Sequence, residues 1–214
     1  MKKRTQKILD NLVLRYPILE VNKADLLKAL DILIDCHTNG NKILICGNGG
    51  SAADSEHISG ELIKSFMLKR NCSSKDIRNF KGLGEEGQLL IENLQQGIRA
   101  IPLSSFSSGI TAYMNDMEPD LVFAQLTYAL GMNGDVLLAI STSGNSKNTY
   151  FAALVAKTIG MRTIALSGKT GGKLNAICDV CIKVSENETF KIQELHLPVY
   201  HFLCSALESE LFEA

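Results

Sequence analysis

Nowhere in this 214-residue sequence does an apolar run approach the roughly 18 residues that a membrane-spanning helix needs. The longest, such as Val136 to Ile140, have the length of strands, so no membrane partner is expected. An excess of either charge is also missing: 22 Lys and Arg stand against 23 Asp and Glu, a net charge of −1. That leaves no global field to attract nucleic acid or anionic lipid. No internal repeat, low-complexity tract or Pro/Gly-rich linker divides the chain, and its length suits one domain over residues 1–214. The basic opening lacks the apolar stretch of a signal peptide, because Asp10, Arg15 and Glu20 interrupt it and no small-residue cleavage site follows. The mature chain is therefore expected to start there. Six cysteines, at 36, 46, 72, 178, 181 and 204, are too scattered for a disulfide framework, and reduced thiols in the cytoplasm fit them. Cys178 and Cys181 form the only CxxC, without a second ligand pair at zinc-finger spacing, which reads as packing.

What is present is a soluble-type composition, 45% hydrophobic and 21% charged, enough for a core. Ile8, Leu9, Leu12 and Val13 form an amphipathic stretch ended by Pro17. Asn22 reads as the N-cap of a second helix, with Asp25 three residues on and Leu26, Leu27, Leu30, Leu33 and Ile34 at helical spacing up to Asn39 and Gly40. This N-terminal helical pair, 3–39, has apolar faces that need a cover, and a partner subunit is one source.

From residue 42 short β-rich runs alternate with helical segments: Lys42 to Cys46, Ala100 to Ser104, Val136 to Ser141, Arg162 to Ser167 and Asp179 to Val184. Such alternation implies right-handed crossovers and a parallel sheet covered on both faces, the α/β class. Ligands of such sheets bind beyond the carboxyl ends of the strands. Residues 67–96 are a polar excursion with a short helix near Gln88 to Leu94.

The first strand runs into Gly47, Asn48, Gly49, Gly50 and Ser51 at the head of a helical segment, where free N–H groups and the helix dipole favour an anion. The spacing of Gly47, Gly49 and Ala52 also fits a loose dinucleotide fingerprint, but the acidic residue expected about twenty positions on is absent. The third strand delivers Ser141, Thr142, Ser143, Asn145 and Ser146 to the helix starting near Lys147. One cap uses one hydroxyl; four hydroxyls point to a phosphate. The turn Ser167 to Gly172 is less hydroxyl-rich and reads as a loop. His57 and Glu61, four apart, share a helix face, and Gln193 and His201 lie about 80° apart around the last helix, so both can border one cleft. His196 lies about 140° from His201 and faces elsewhere. Pro198 removes a backbone hydrogen bond between them, and a kink is expected.

These residues, with Asn115 and Asp116, the run Asp135 to Ser146, and Gly171, Gly172 and Lys173, resemble the bacterial phosphoheptose isomerases of the sugar isomerase (SIS) fold over roughly residues 40–205. The resemblance implies a three-layer, flavodoxin-like sandwich around a five-stranded parallel sheet. It implies a cytoplasmic aldose–ketose isomerase that converts sedoheptulose 7-phosphate to D-glycero-D-manno-heptose 7-phosphate for surface polysaccharide. Ser51, Ser141, Thr142, Ser143 and Ser146 would surround the phosphate, with Gly49 and Gly50 in the same turn, while Asn48, Asn115, Asp116 and Gln193 contact the sugar. His57, Glu61, Gln193 and His201 occupy zinc-binding positions, one zinc per subunit, with Glu61 and His201 also acting as base and acid. Homotetramers with shared active sites are implied as well. Two departures stand out: 67–96 resembles an insertion, and Phe190 stands where the family has a substrate-contacting Asp. The competing reading is a non-catalytic SIS protein that binds a phosphosugar or a protein such as a replication initiator. Glu61 and His201 weigh against it.

Overall fold

The structure is a computed structural model describing residues 1–212. Five short apolar runs form one parallel sheet: β1 (Ile43–Cys46), β2 (Ala100–Pro102), β3 (Val136–Ile140), β4 (Arg162–Ser167) and β5 (Val180–Lys183), in the order β2-β1-β3-β4-β5. Their two faces follow the two-residue period of a pleated strand. Ile43, Ile45, Leu138, Ile140, Ile164 and Ile182 point to one core; Leu44, Cys46, Leu137, Ala139, Ala165 and Cys181 point to another. β1 and β3 are wholly buried and β4 and β5 nearly so, as expected where helices cover both faces, while the edge strand β2 is buried only at Ala100.

The helices are α1 (Lys3–Arg15), α2 (Lys23–Thr38), α3 (Gly50–Ile63), α4 (Ser74–Lys81), α5 (Gly84–Asn93), α6 (Ser107–Asp116), α7 (Val122–Leu130), α8 (Lys147–Thr158), α9 (Gly172–Ile177) and α10 (Thr189–Phe212). Apolar residues of α2, α3 and α10 fill the first core. The second core is closed by α7, α8 and α9, where Ala152, Ala153 and Ala156 sit over Ala139 and Ala165 and allow close approach. No helix among the described residues is long and apolar enough to cross a membrane.

Several local expectations change. Asn22 precedes α2 but does not cap it with its side chain; its Nδ2 donates to the Lys183 carbonyl at 2.8 Å and ties α2 to the end of β5. The cover for α1 comes largely from within the chain, since Leu9 and Leu12 join the core that α10 supplies. The turn after Ser167 is a loop through Gly171, as read, and it opens directly into α9. The excursion 67–96 holds two helices, α4 as well as α5; Ser73 caps α4, its Oγ accepting from the Asp76 N–H at 3.1 Å and donating to Asp76 Oδ2 at 2.6 Å. Helix α10 continues through Pro198 as a single element.

Candidate active site

The strand order reverses direction between β1 and β3, and at that switch point two loops meet at the carboxyl edge of the sheet. The loop after β1, residues 47–50, opens α3; the loop after β3, residues 141–146, opens α8. Asn48 and Asn148 join them, each Nδ2 donating to the other's Oδ1 at 2.8–2.9 Å. The second loop is rigidified from β4: Gly168 N–H donates to Thr142 O at 2.9 Å, Leu174 N–H to Gly144 O at 3.1 Å, and Lys173 N–H to Asn145 Oδ1 at 3.1 Å. Gly144, at φ 65°, sits so close to the Gly171 carbonyl that no side chain could be added there.

Within this cradle the Ser141 and Ser146 hydroxyls are 3.0 Å apart, and the Ser143 Oγ accepts the Asn145 N–H at 3.1 Å. The Ser51 and Thr142 hydroxyls have no hydrogen-bond partner among the described residues. Hydroxyls and N–H groups at two helix N-termini are suited to a phosphate without requiring a large positive charge. Gly49 and Gly50 form the rim of the first loop. A Cβ on Gly50 would lie 2.6 Å from Gln193 Nε2, so glycine lets the amide of α10 rest directly on this loop.

One face of α3 carries the titratable groups. His57 Nε2 lies 3.3 Å from Glu61 Oε1, and Glu61 Oε2 lies 3.6 Å from Lys64 Nζ. From α10, His201 brings its ring centroid within 5.1 Å of the His57 ring, edge to face. Burial, then the neighbouring His57, lowers the His201 pKa, with Glu61 opposing. Glu61 and His201 thus share one surrounding although 140 positions separate them. The His201 Nε2 is buried with no hydrogen-bond partner among the described residues. His201 also borders a cavity of about 500 Å³ between α1 and α10, lined by Arg4, Lys7, Arg15, Phe66 and Leu197.

Asn115 and Asp116 lie elsewhere. They are exposed at the end of α6, joined by a 2.9 Å bond from Asn115 Nδ2 to Asp116 Oδ1, and neither bonds to another candidate residue among those described. His196 is fully buried on the far side of α10; burial pushes its pKa down to about 4, and the nearby Ser167 backbone offsets this only in part. Cys178 and Cys181 are free thiols, and burial raises them to about 12 and about 11, which fits packing.

For zinc, the donor types of His57, Glu61 and His201 are suitable, and the 3.3 Å His57–Glu61 pair with the unpartnered His201 Nε2 is compatible with a shared cation. Among the described residues, however, no three His, Cys, Asp or Glu side chains converge closely enough to complete a metal site within one chain.

Two residues in the site carry no sequence signal of their own. Tyr200 OH lies 3.2 Å from Asp54 Oδ1 and 3.1 Å from His57 Nδ1. Burial raises the Asp54 pKa, opposed by the Tyr200 hydrogen bond and by His57; burial and then Asp54 raise Tyr200. Asp54 lies one turn before His57 on α3, a spacing that puts both on one helix face but assigns Asp54 no role. Tyr200 reads as a core aromatic.

A family profile described as SIS domain matches residues 13–82 and 95–168. A phosphoheptose isomerase from Aliarcobacter butzleri is 38% identical over 194 residues, 91% of this chain and 89% of its own. The chain belongs to the phosphoheptose isomerases of the SIS-domain family. Two solved phosphoheptose isomerases share its fold. That of Neisseria gonorrhoeae has TM-score 0.72 and 32% identity, covering 96% of this chain and 94% of its own; that of Francisella tularensis has TM-score 0.73 and 26% identity, covering 98% and 100%. In this phosphoheptose isomerase fold, α5 falls within the stretch 83–94 that the SIS profile leaves unmatched.

Proposed function

We propose that the protein interconverts sedoheptulose 7-phosphate and D-glycero-D-manno-heptose 7-phosphate by moving a proton between C1 and C2. The observation that carries this reading is the meeting of Glu61 and His201 around His57, beside a hydroxyl-lined cradle at the switch point of the sheet. Ser51, Ser141, Thr142, Ser143 and Ser146 hold the phosphate, and Gln193, Asn48, Asn115 and Asp116 hold the sugar hydroxyls. Asn115 and Asp116 reach the sugar across a subunit boundary in this reading.

Glu61 takes the carbon-bound proton, and His201, whose pKa burial lowers, exchanges a proton with the sugar oxygen. Glu61 has different neighbours at its two oxygens, His57 at Oε1 and Lys64 at Oε2, so one oxygen can be held while the other acts. A zinc ion held by His57, Glu61, Gln193 and His201 would supply Lewis-acid polarisation of the carbonyl. A cytoplasmic homotetramer is part of the proposal. Exposed Leu14 and Val21, and cations Arg4, Lys7 and Arg15 without a carboxylate within 4 Å among the described residues, support a subunit contact on the α1 side.

A panel of ketose phosphates assayed for aldose formation tests the substrate. Sedoheptulose 7-phosphate should be turned over and unphosphorylated sedoheptulose should lose at least tenfold in kcat/KM; inactivity across the panel would overturn the assignment.

A further inference from the structure

We infer that Asp54 and Tyr200 are positioning residues that fix the tautomer of His57, so that its Nε2 faces Glu61 as an acceptor and not as a donor. The inference rests on the isomerase reading of this site and deepens it.

A tyrosine hydroxyl has a single hydrogen, and an ionised carboxylate only accepts. Tyr200 OH lies 3.2 Å from Asp54 Oδ1, so its hydrogen goes there, charge-assisted. The lone pairs of the same oxygen then face His57 Nδ1 at 3.1 Å, and this contact is a hydrogen bond only if Nδ1 carries the proton. Neutral imidazole has one N–H, so Nε2 is left with a lone pair. That nitrogen is 3.3 Å from Glu61 Oε1. Two acceptors at this distance repel unless a positive centre sits between them. The pair is therefore a cradle for a proton or a divalent cation, and Asp54 and Tyr200 keep it open. The ring is also held sterically, with Tyr200 and His201 edge to face at centroid distances of 5.4 and 5.1 Å. Asp54 Oδ2 is buried without a hydrogen-bond partner among the described residues, where Tyr200 is the one group that donates to this carboxylate. The opposite arrangement, Asp54 protonated and Tyr200 donating to Nδ1, would aim an Nε2–H at Glu61.

The test is nitrogen NMR of full-length protein labelled with 15N-histidine, chelator-treated, at pH 8 and without sugar, with His57 assigned by its loss in His57→Gln. We expect a protonated-type shift at Nδ1 and a lone-pair shift at Nε2. Tyr200→Phe, isosteric but for the hydroxyl, should show Nε2–H signal and lose about tenfold in kcat with KM unchanged, a typical effect of removing a group that orients a ligand-type histidine. Asp54→Asn, whose amide oxygen still accepts from Tyr200, should keep the wild-type tautomer. A lone-pair shift at Nδ1 in the wild type, or unchanged tautomer and kcat in a folded Tyr200→Phe, would overturn the inference. Because the tautomer is read without substrate, its failure leaves the isomerase reading standing. Inactivity on ketose phosphates with the expected tautomer would instead count against the isomerase reading alone.

Discussion

His196 and His201 sit on the same helix, yet their surroundings assign them different tasks. His201 lies among the site's ionisable groups, whereas His196 is sealed in the core with its pKa pushed down to about 4. An unfolded histidine titrates near 6.5. Between pH 6.5 and about 4 the unfolded chain binds a proton at this position and the native chain does not, so stability rises with pH across that window and is lost as pH falls through it. The shift corresponds to roughly 3 kcal/mol. Urea unfolding at pH 7 and pH 4 should show this loss in the wild type and a correspondingly smaller loss in His196→Leu. Equal losses would remove His196 as the source. The histidine contrast was readable from helix angles alone, since about 140° of rotation separates the two side chains. The roles of Asp54 and Tyr200 were not readable, because they arise from contacts between α3 and α10 that no local spacing encodes.

Helix α3 owes its position at its carboxyl end to a buried ion pair. Arg70 and Glu208 have fully buried side chains 2.7 Å apart. Glu208 also accepts the N–H groups of Phe66, Met67 and Leu68, while Arg70 Nη1 donates to Leu62 O at 2.7 Å. The C-terminal helix α10 thereby fixes both the last turn of α3 and the start of the 67–96 excursion. Removing one partner of a buried pair leaves the other charge uncompensated and costs about 3–5 kcal/mol. Glu208→Gln should lower Tm by roughly 10 °C, a shift in proportion to that loss for a chain of this size; a change below about 1 °C in thermal melts would show the pair to be idle. The strands were legible because each is a short, largely apolar run of three to six residues between polar punctuation. The N-cap Ser73, with Asp76 three residues on, was equally local and announces α4, but a helix with no buried residue gives no core-facing stripe to detect. Asn22 shows the reverse case: a cap-type residue whose side chain was taken by a distant carbonyl.

The site exists only because the parallel sheet brings distant segments to one edge. Its order places the loops after β1 and β3 side by side, and the packing of α10 on α3 adds Gln193 and His201. Sequence spacing identified each motif; the order of strands decides which of them meet. The proposed zinc site belongs to this scale, because its four candidate ligands come from two helices. Elemental analysis of protein purified without chelators should find zinc near one equivalent per subunit and a loss of most of it in His57→Ala. Full activity without zinc would leave the four residues as acid, base and positioning groups.

The most direct measurement is the rate of sedoheptulose 7-phosphate isomerisation by wild type and by Glu61→Gln, with phosphate-end binding followed in parallel. The wild type should turn the substrate over, and the variant should retain sugar-phosphate binding while losing 10²- to 10⁴-fold in kcat, the usual contribution of a positioned acid–base group. Turnover by Glu61→Gln at the wild-type rate would contradict the account.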